Sequence, residues 1–248
     1  MLTAMAVGML TGLVTGFFHT KCGIPAILSG ILTQLGLWSV NLAIMGMKSN
    51  RAVNVNEYKL IVSLRYLTDV VKGTRPFYMY PMLTIALFTI VVIGILYWFF
   101  GTELGCSIRA TGANSNMARA QGINTNFNKV LGLMIANGLV ALSGALLSQY
   151  QGFAESNMGR GAIVVGLAAI IIGDAIVSKI SQNFAVRLLG VVLGGIIYFF
   201  VYQTVIFLGF DSDLLKMLSA IVVAIFLGLP YLKKKYFTNK KREGKRNA

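Results

Sequence analysis

From Met79 to Phe100 the chain carries no charged residue, with Tyr78 and Tyr80 at one end and Tyr97 and Trp98 at the other. An uncharged run of this kind meets the roughly 20 residues that a helix needs to cross a bilayer, and aromatic residues favour the two membrane interfaces. Lipid offers no partner to backbone N–H and C=O groups, so such a run must satisfy its own hydrogen bonds as a helix. Five other segments are apolar at similar length, with charges only at Arg187 and Lys216 near the starts of the last two: Met1–Phe18, Cys22–Met47, Val130–Tyr150, Phe184–Leu208 and Leu214–Leu232. Ala162–Val177 is a shorter version, under the length of a full span, and its Gly173-Asp174 end suits a partial or broken helix beside a cavity. The expected fold is all-α, a polytopic transmembrane helical bundle of about seven apolar segments, one of them partial.

Charge supports this reading. Only 12% of the 248 residues are charged, against roughly 25% in a soluble domain. No polar segment is long enough for a separate soluble domain, so 1–232 forms one membrane domain and 233–248 a basic tail. The net charge of +14 raises nucleic acid as a partner, yet eight of the 22 basic residues lie after Leu232 and the rest sit in loops or at the ends of apolar runs. That is the distribution of a membrane protein with a basic cytoplasmic face, without aromatics interleaved to stack on bases. No nucleic acid is expected. Cys22 and Cys106 form neither a disulfide framework nor a metal site.

The basic tail places the C-terminus in the cytoplasm. Counting back through seven spans puts Asp211 outside, Lys179 and Arg187 inside, Gln151–Arg160 outside, and Gly101–Lys129 inside, with His19 and Lys21 also inside. Lys48–Phe77 comes out external despite its six basic residues. Within it, Ile61–Val71 has the pattern of a short amphipathic helix. A segment at 161–178 that failed to cross would invert everything upstream.

Several spans carry polar residues at helical spacing. Gly8, Gly12 and Gly16 form a small-xxx-small series that predicts close packing of the first span on another helix. That run lacks the basic start and the small-residue cleavage site of a signal peptide. Gly30, Gln34, Trp38 and Asn41 share one face of the second span, and Asn137, Ala141, Gly144, Ser148 and Gln151 one stripe of the fourth. Such groups are expensive facing lipid. Interhelical hydrogen bonding and contact with a transported solute both remain open for them. Asp174 is the one acid embedded in an apolar run, with Lys179 close by in sequence. It is either a functional group or half of an interfacial ion pair.

Gly101–Lys129 is the internal segment of mixed polarity that still carries an ordered pattern. Glu103–Ala110 reads as a short helix ended by Gly112 in the left-handed conformation. Asn114 then caps a second helix, Ser115–Gln121, ended by Gly122. Two turns cannot bury a core, so this helix is placed to present Met117, Ala118, Arg119 and Gln121 to another protein.

The run RATGANSNMARAQGI (Arg109–Ile123), with NGLVALSGALLSQYQGFAESNMGRGAIVVGLAAIIIGDAI (Asn137–Ile176), resembles ABC-importer permeases of the branched-chain amino acid and ribose permease superfamily. Within it the likeness is to tryptophan/tyrosine-type and uncharacterised uptake permeases, and it extends more weakly to Leu28–Gly46. The resemblance implies that 101–129 is the cytoplasmic coupling loop, which would seat Arg109, Gly112, Asn114, Met117, Ala118, Arg119, Gln121 and Gly122 against an ATPase subunit. It further implies two permease copies, an extracytoplasmic solute-binding protein, a bacterial cytoplasmic membrane, and alternating access powered by ATP bound to the partner. Gln34, Trp38, Asn41, Asn137, Gly144, Ser148 and Asp174 are the candidate pore lining. Members of this family begin with further hydrophobic segments, so the N-terminus reads as short.

The chain has no G-x-x-x-x-G-K-[ST] loop, no H-E-x-x-H, no G-x-S-x-G with histidine partners, and a single histidine. No catalytic centre, cofactor or metal is therefore expected in this chain. The rival readings are a gradient-driven secondary transporter, which would embed charges deep in its spans, and a non-transporting structural membrane protein.

Overall fold

The computed structural model describes residues 1–53, 60, 62–63, 81–159, 162–177 and 183–208. Two compact units divide the chain, Met1–Gly159 and Arg160–Ala248.

In the first unit the elements are α1 (Leu2–Thr20), α2 (Ala26–Ile44), β1 (Asn50–Ala52), α3 (Pro81–Gly101), α4 (Glu103–Ala113), α5 (Ser115–Ala120), α6 (Thr125–Gln151) and β2 (Phe153–Glu155). In the second they are α7 (Ala162–Val177) and α8 (Phe184–Phe207). Five helices among the described residues, α1, α2, α3, α6 and α8, are long and apolar enough to cross a membrane, and α7 is shorter. The chain is an all-α, multi-pass membrane protein. The expected span at Leu214–Leu232, the basic tail and Lys179 lie outside the described residues, as does Ile61–Val71 apart from Val62 and Ser63.

The α1 glycines make the contact their spacing predicts. A Cβ at Gly8 would meet Ala141 and the Asn137 carbonyl, one at Gly12 would meet backbone of Leu133 and Met134, and one at Gly16 would meet Val130. Rising positions on α1 meet falling positions on α6, so the two helices run antiparallel at backbone-to-backbone range. With no solvent-driven gain between helices in lipid, such close contact supplies the attraction. α1 also meets α2, where the Thr15 hydroxyl lies 2.9 Å from that of Thr33 and Ser29 is fully buried. Hydrogen bonds of this kind between membrane helices average about 0.6 kcal/mol.

α3 is apolar on every side. Leu87 (65%), Ile90 (64%) and Ile95 (58%) are exposed on it, and no residue in its most apolar window is buried within the chain. A helix of that composition with so little protein around it suits lipid or the flank of another helix.

β1 and β2 pair antiparallel, with Asn50 opposite Glu155 and Ala52 opposite Phe153. This pairing ties the chain just after α2 to the chain just after α6. The antiparallel α1–α6 contact then sorts the unit into two ends. His19 and Lys21 lie at the end where α6 begins, with α4 and α5. The start of the basic stretch, Lys48–Ala52, lies at the opposite end with Phe153–Glu155. Charge counting had grouped these segments in the same way.

The second unit is an antiparallel hairpin. Gly173 meets the Gly190 carbonyl and Gly194 meets the Ala169 carbonyl, so two backbones again touch. Tyr198 is buried over Ala168 and Ile172.

Candidate functional site

The 101–129 segment folds into a compact knob at one end of the first unit. Thr102 starts it: its hydroxyl donates to the Phe99 carbonyl at 2.6 Å and accepts from Gly105 N–H at 3.3 Å. The chain turns so tightly from α3 into α4 that a Cβ at Gly105 would fall on the Phe99 carbonyl and Phe100 Cα. Glu103 sits in the first turn of α4, where a negative charge complements the helix dipole.

Here the structure corrects the sequence reading. α4 does not end at Ala110, and Gly112 is not a left-handed cap. The helix continues to Ala113, with Gly112 inside it and nothing within 4 Å of where its Cβ would be. The break falls at Asn114, whose extended backbone (φ −154°, ψ 99°) closes α4 and opens α5. Asn114 caps as expected, its Oδ1 accepting from the N–H groups of Asn116 and Met117, both at 3.1 Å. Gly112 was misassigned because glycine permits the left-handed conformation without requiring it.

α5 ends at Ala120 in a full Schellman turn. Ile123 N–H donates to the Ala118 carbonyl at 3.1 Å, Gly122 N–H donates to Arg119 at 3.0 Å, and Gly122 has φ +80°. The expected presenting face needs one correction. Met117 is 61% exposed, and Arg119 and Gln121 are exposed, but Ala118 is 3% exposed and faces inward. At 3.6 residues per turn, a two-turn helix lying on a scaffold must turn some of its residues inward, and Ala118 is small enough to sit there. Arg109 is exposed on α4.

The first turn of α6, upstream of the expected start at Val130, anchors the knob. Arg119 Nη2 donates to Thr125 Oγ1 at 3.2 Å. Asn128 Nδ2 donates to Ser107 Oγ at 2.8 Å and to Thr111 Oγ1 at 3.1 Å. Asn128 and Thr111 are buried (4% and 6% exposed). Both hydroxyl protons are committed elsewhere, Thr111 to the Ser107 carbonyl at 2.8 Å and Ser107 to the Leu104 carbonyl at 3.2 Å. Only lone pairs then face α6, which fixes the Asn128 amide with its NH2 group toward them. Leaving such a buried group unpaired costs about 1–3 kcal/mol. The sequence reading missed this network. Ser107 and Thr111, four apart, signal a polar stripe on α4, but nothing in the sequence names Asn128 as its partner.

The polar positions in the spans divide. The main chain of Asn137 meets α1 while its amide donates to Leu133 of its own helix at 2.9 Å. Ala141 beside it also meets α1. Farther along the same stripe, Gly144 is exposed with nothing within 4 Å, and Ser148 donates to Ala145 at 3.1 Å. On α2 it is Ser29 and Thr33 that face α1. Gln34 and Asn41 are exposed, as is Trp38 at 38%. Asp174 accepts from Arg187 Nη2 at 2.9 Å across the α7–α8 hairpin. That is the ion-pair alternative, with Arg187 as a partner, while Lys179 lies outside the described residues. Among the described residues no His, Cys, Asp and Glu cluster could hold a metal.

Residues 1–227 match the family described as "Branched-chain amino acid transport system / permease component". The chain is 38% identical over 226 residues to a tyrosine transport system permease protein of Clostridioides difficile, covering 91% of this chain and 70% of that one. It is 32% identical over 226 residues to an uncharacterized protein of Rickettsia prowazekii, covering 90% and 76% respectively. A galactose/methyl galactoside import permease protein of Treponema pallidum is 25% identical over 223 residues, 89% of this chain and 40% of that one. No solved structure matches. Apolar helices in close antiparallel contact, an ordered polar knob between two of them and a family match along nearly the whole chain lead to one conclusion: this protein belongs to the branched-chain amino acid transport permease family and is the membrane-spanning permease subunit of an ABC uptake system.

Proposed function

We propose that the α4–α5 knob is the element through which this permease docks a separate ATPase subunit, with its end of the first unit facing the cytoplasm. ATP is bound and hydrolysed by that partner, and this chain carries no cofactor. The observation behind this reading is the form of the knob. Met117, Arg119 and Gln121 stand out from α5, which is capped at both ends and tied to a span through Arg119 and Thr125, while Asn128 ties α4 beside it to the same span. Such a projection is rigid enough to carry a push. Met117 offers a flexible apolar contact and Arg119 a charge, a pairing suited to an interface anchor.

The remaining parts of the proposal are supported by likeness to the family. Two copies form the pore, an extracytoplasmic solute-binding protein delivers the solute, and the C-terminus lies in the cytoplasm. Closure of the ATPase pair moves the docked knobs and alternates access to the pore. The substrate is proposed to be an amino acid, aromatic in kind, because one similar protein is named for tyrosine transport. Gln34, Trp38, Asn41, Gly144 and Ser148 are the residues proposed to face the solute path, and Asn137 adjoins it at the α1 contact. Asp174 is assigned an interfacial role with Arg187, which leaves the one acid within a span outside ion coupling.

The test is co-purification with the candidate ATPase from detergent. Met117 is exposed, so Met117→Asp leaves the fold intact and should lower recovery of the ATPase on the order of tenfold, the effect of losing one central interface contact. Equal recovery with wild type would remove Met117 from the interface. Failure of wild type to retain any ATPase would overturn the docking reading itself.

A further inference from the structure

We propose that Asn128, with Ser107 and Thr111, is a coupling clasp that makes the knob and α6 move as one body. The proposal rests on the docking role assigned above and adds the route by which docking reaches the membrane. A knob can take up displacement by bending in its own connections, or it can pass displacement on. What decides is how it is fastened to the spans. α4 reaches α6 through two hydrogen bonds from one buried amide, at 2.8 Å and 3.1 Å, with Ile108 packed over Gly132 beside them. α5 reaches the same turn of α6 through Arg119 and Thr125. These three hydrogen bonds converge on one turn, Thr125–Asn128.

The clasp is directional because its protons are fixed. Ser107 and Thr111 have spent theirs on α4 carbonyls, so they accept only from an amide held as Asn128 holds it. A slide of α4 along α6 breaks both bonds, and the buried one to Thr111 finds no replacement. From α6 the displacement passes to α1, whose glycines hold the two backbones in contact. α3 is joined to the knob at its C-terminal turn, through Thr102, Gly105 and Cys106. The moving body is therefore α4, α5, α6 and α1. Asn128 is a positioning residue, since it touches neither nucleotide nor solute.

The experiment uses the full chain with its ATPase in lipid, with Cys22 and Cys106 replaced by serine. Single cysteines are introduced on the exposed face of α6 at Ala136, Val140, Ser143, Gly144 and Leu147. Their rate of reaction with a maleimide is measured with and without ATP plus vanadate. The expected result is a nucleotide-dependent change of at least about twofold at one or more positions in wild type. In Asn128→Leu and in Thr111→Val the ATPase still binds and hydrolyses ATP, but the change at α6 is lost. Thr111→Ser, which keeps the accepting hydroxyl, should restore it. A role confined to stability does not separate hydrolysis from α6 motion in this way.

Two results overturn the clasp while leaving docking intact. One is a wild-type α6 face that does not respond to nucleotide, and the other is a response that survives in both Asn128→Leu and Thr111→Val. Loss of ATPase binding in both variants also overturns it, because the network would then only hold the shape of the docking surface. If wild type binds no ATPase, the docking reading fails, and the clasp proposal fails with it.

Discussion

Gly112 and Gly122 ask opposite things of a substitution, although both flank the same short helix. Gly112 lies inside α4 with open space where a Cβ would be. Glycine in a helix interior is less favourable than alanine by about 0.5–1 kcal/mol, so Gly112→Ala should stabilise the knob by that amount. Gly122 holds φ +80° in the Schellman turn. An alanine there must accept the left-handed conformation, at about 1–2 kcal/mol. Amide hydrogen exchange over residues 115–123 reads both effects as local opening. Gly122→Ala should raise the opening equilibrium by roughly 5- to 30-fold, while Gly112→Ala should leave it equal to wild type or lower it. A rise in both variants would mean that Gly112 also needs a conformation closed to alanine.

At the scale of elements, the α1–α6 pair shows where helix packing decides stability. A side chain at Gly12 would enter the Leu133 and Met134 main chain, which cannot swing aside as a flexible side chain can. Gly12→Leu should therefore cost about 1–3 kcal/mol, the range typical of overpacking, and lower the thermal midpoint in detergent. Gly30→Leu on α2, where nothing lies within 4 Å, should leave it unchanged. The same pair shows how much was legible in the sequence. The four-residue glycine spacing announces a close contact without naming the partner, because any helix with a smooth face satisfies it. The stripe through Asn137 and Ala141 was equally readable, and the structure joins these two features at the α1 contact. The caps at Asn114 and Gly122 were legible because capping is local chemistry. The Asn128 network and the Asp174–Arg187 pair were not, since each depends on two helices meeting at a register that neither helix encodes alone.

For the molecule as a whole, the arrangement of ends in the first unit can be checked with two native probes. Cys22 follows α1 and Cys106 lies in α4, and both are exposed. The antiparallel α1–α6 contact puts the end of α1 beside the start of α6, and the clasp holds α4 there too. The β1–β2 pairing puts Asn50 and Glu155 together at the other end. Charge counting places the basic tail in the cytoplasm and, traced back through seven spans, assigns the first end to the cytoplasm too, an argument that uses no contact between helices. The two lines of reasoning are independent, so their agreement can be tested in one experiment. Intact cells are treated with a membrane-impermeant maleimide, using single-cysteine chains that retain Cys22 or Cys106, or carry Asn50→Cys or Glu155→Cys. Cys22 and Cys106 should be protected until the membrane is opened, whereas the cysteines at 50 and 155 should react from outside. Reversal of all four would keep the helix arrangement and invert its orientation, moving the knob outside and ending its role in docking a cytoplasmic ATPase. Opposite behaviour of Cys22 and Cys106 would break the arrangement itself, because no crossing of the bilayer separates them if α1 and α6 are joined as their glycine and backbone contacts require.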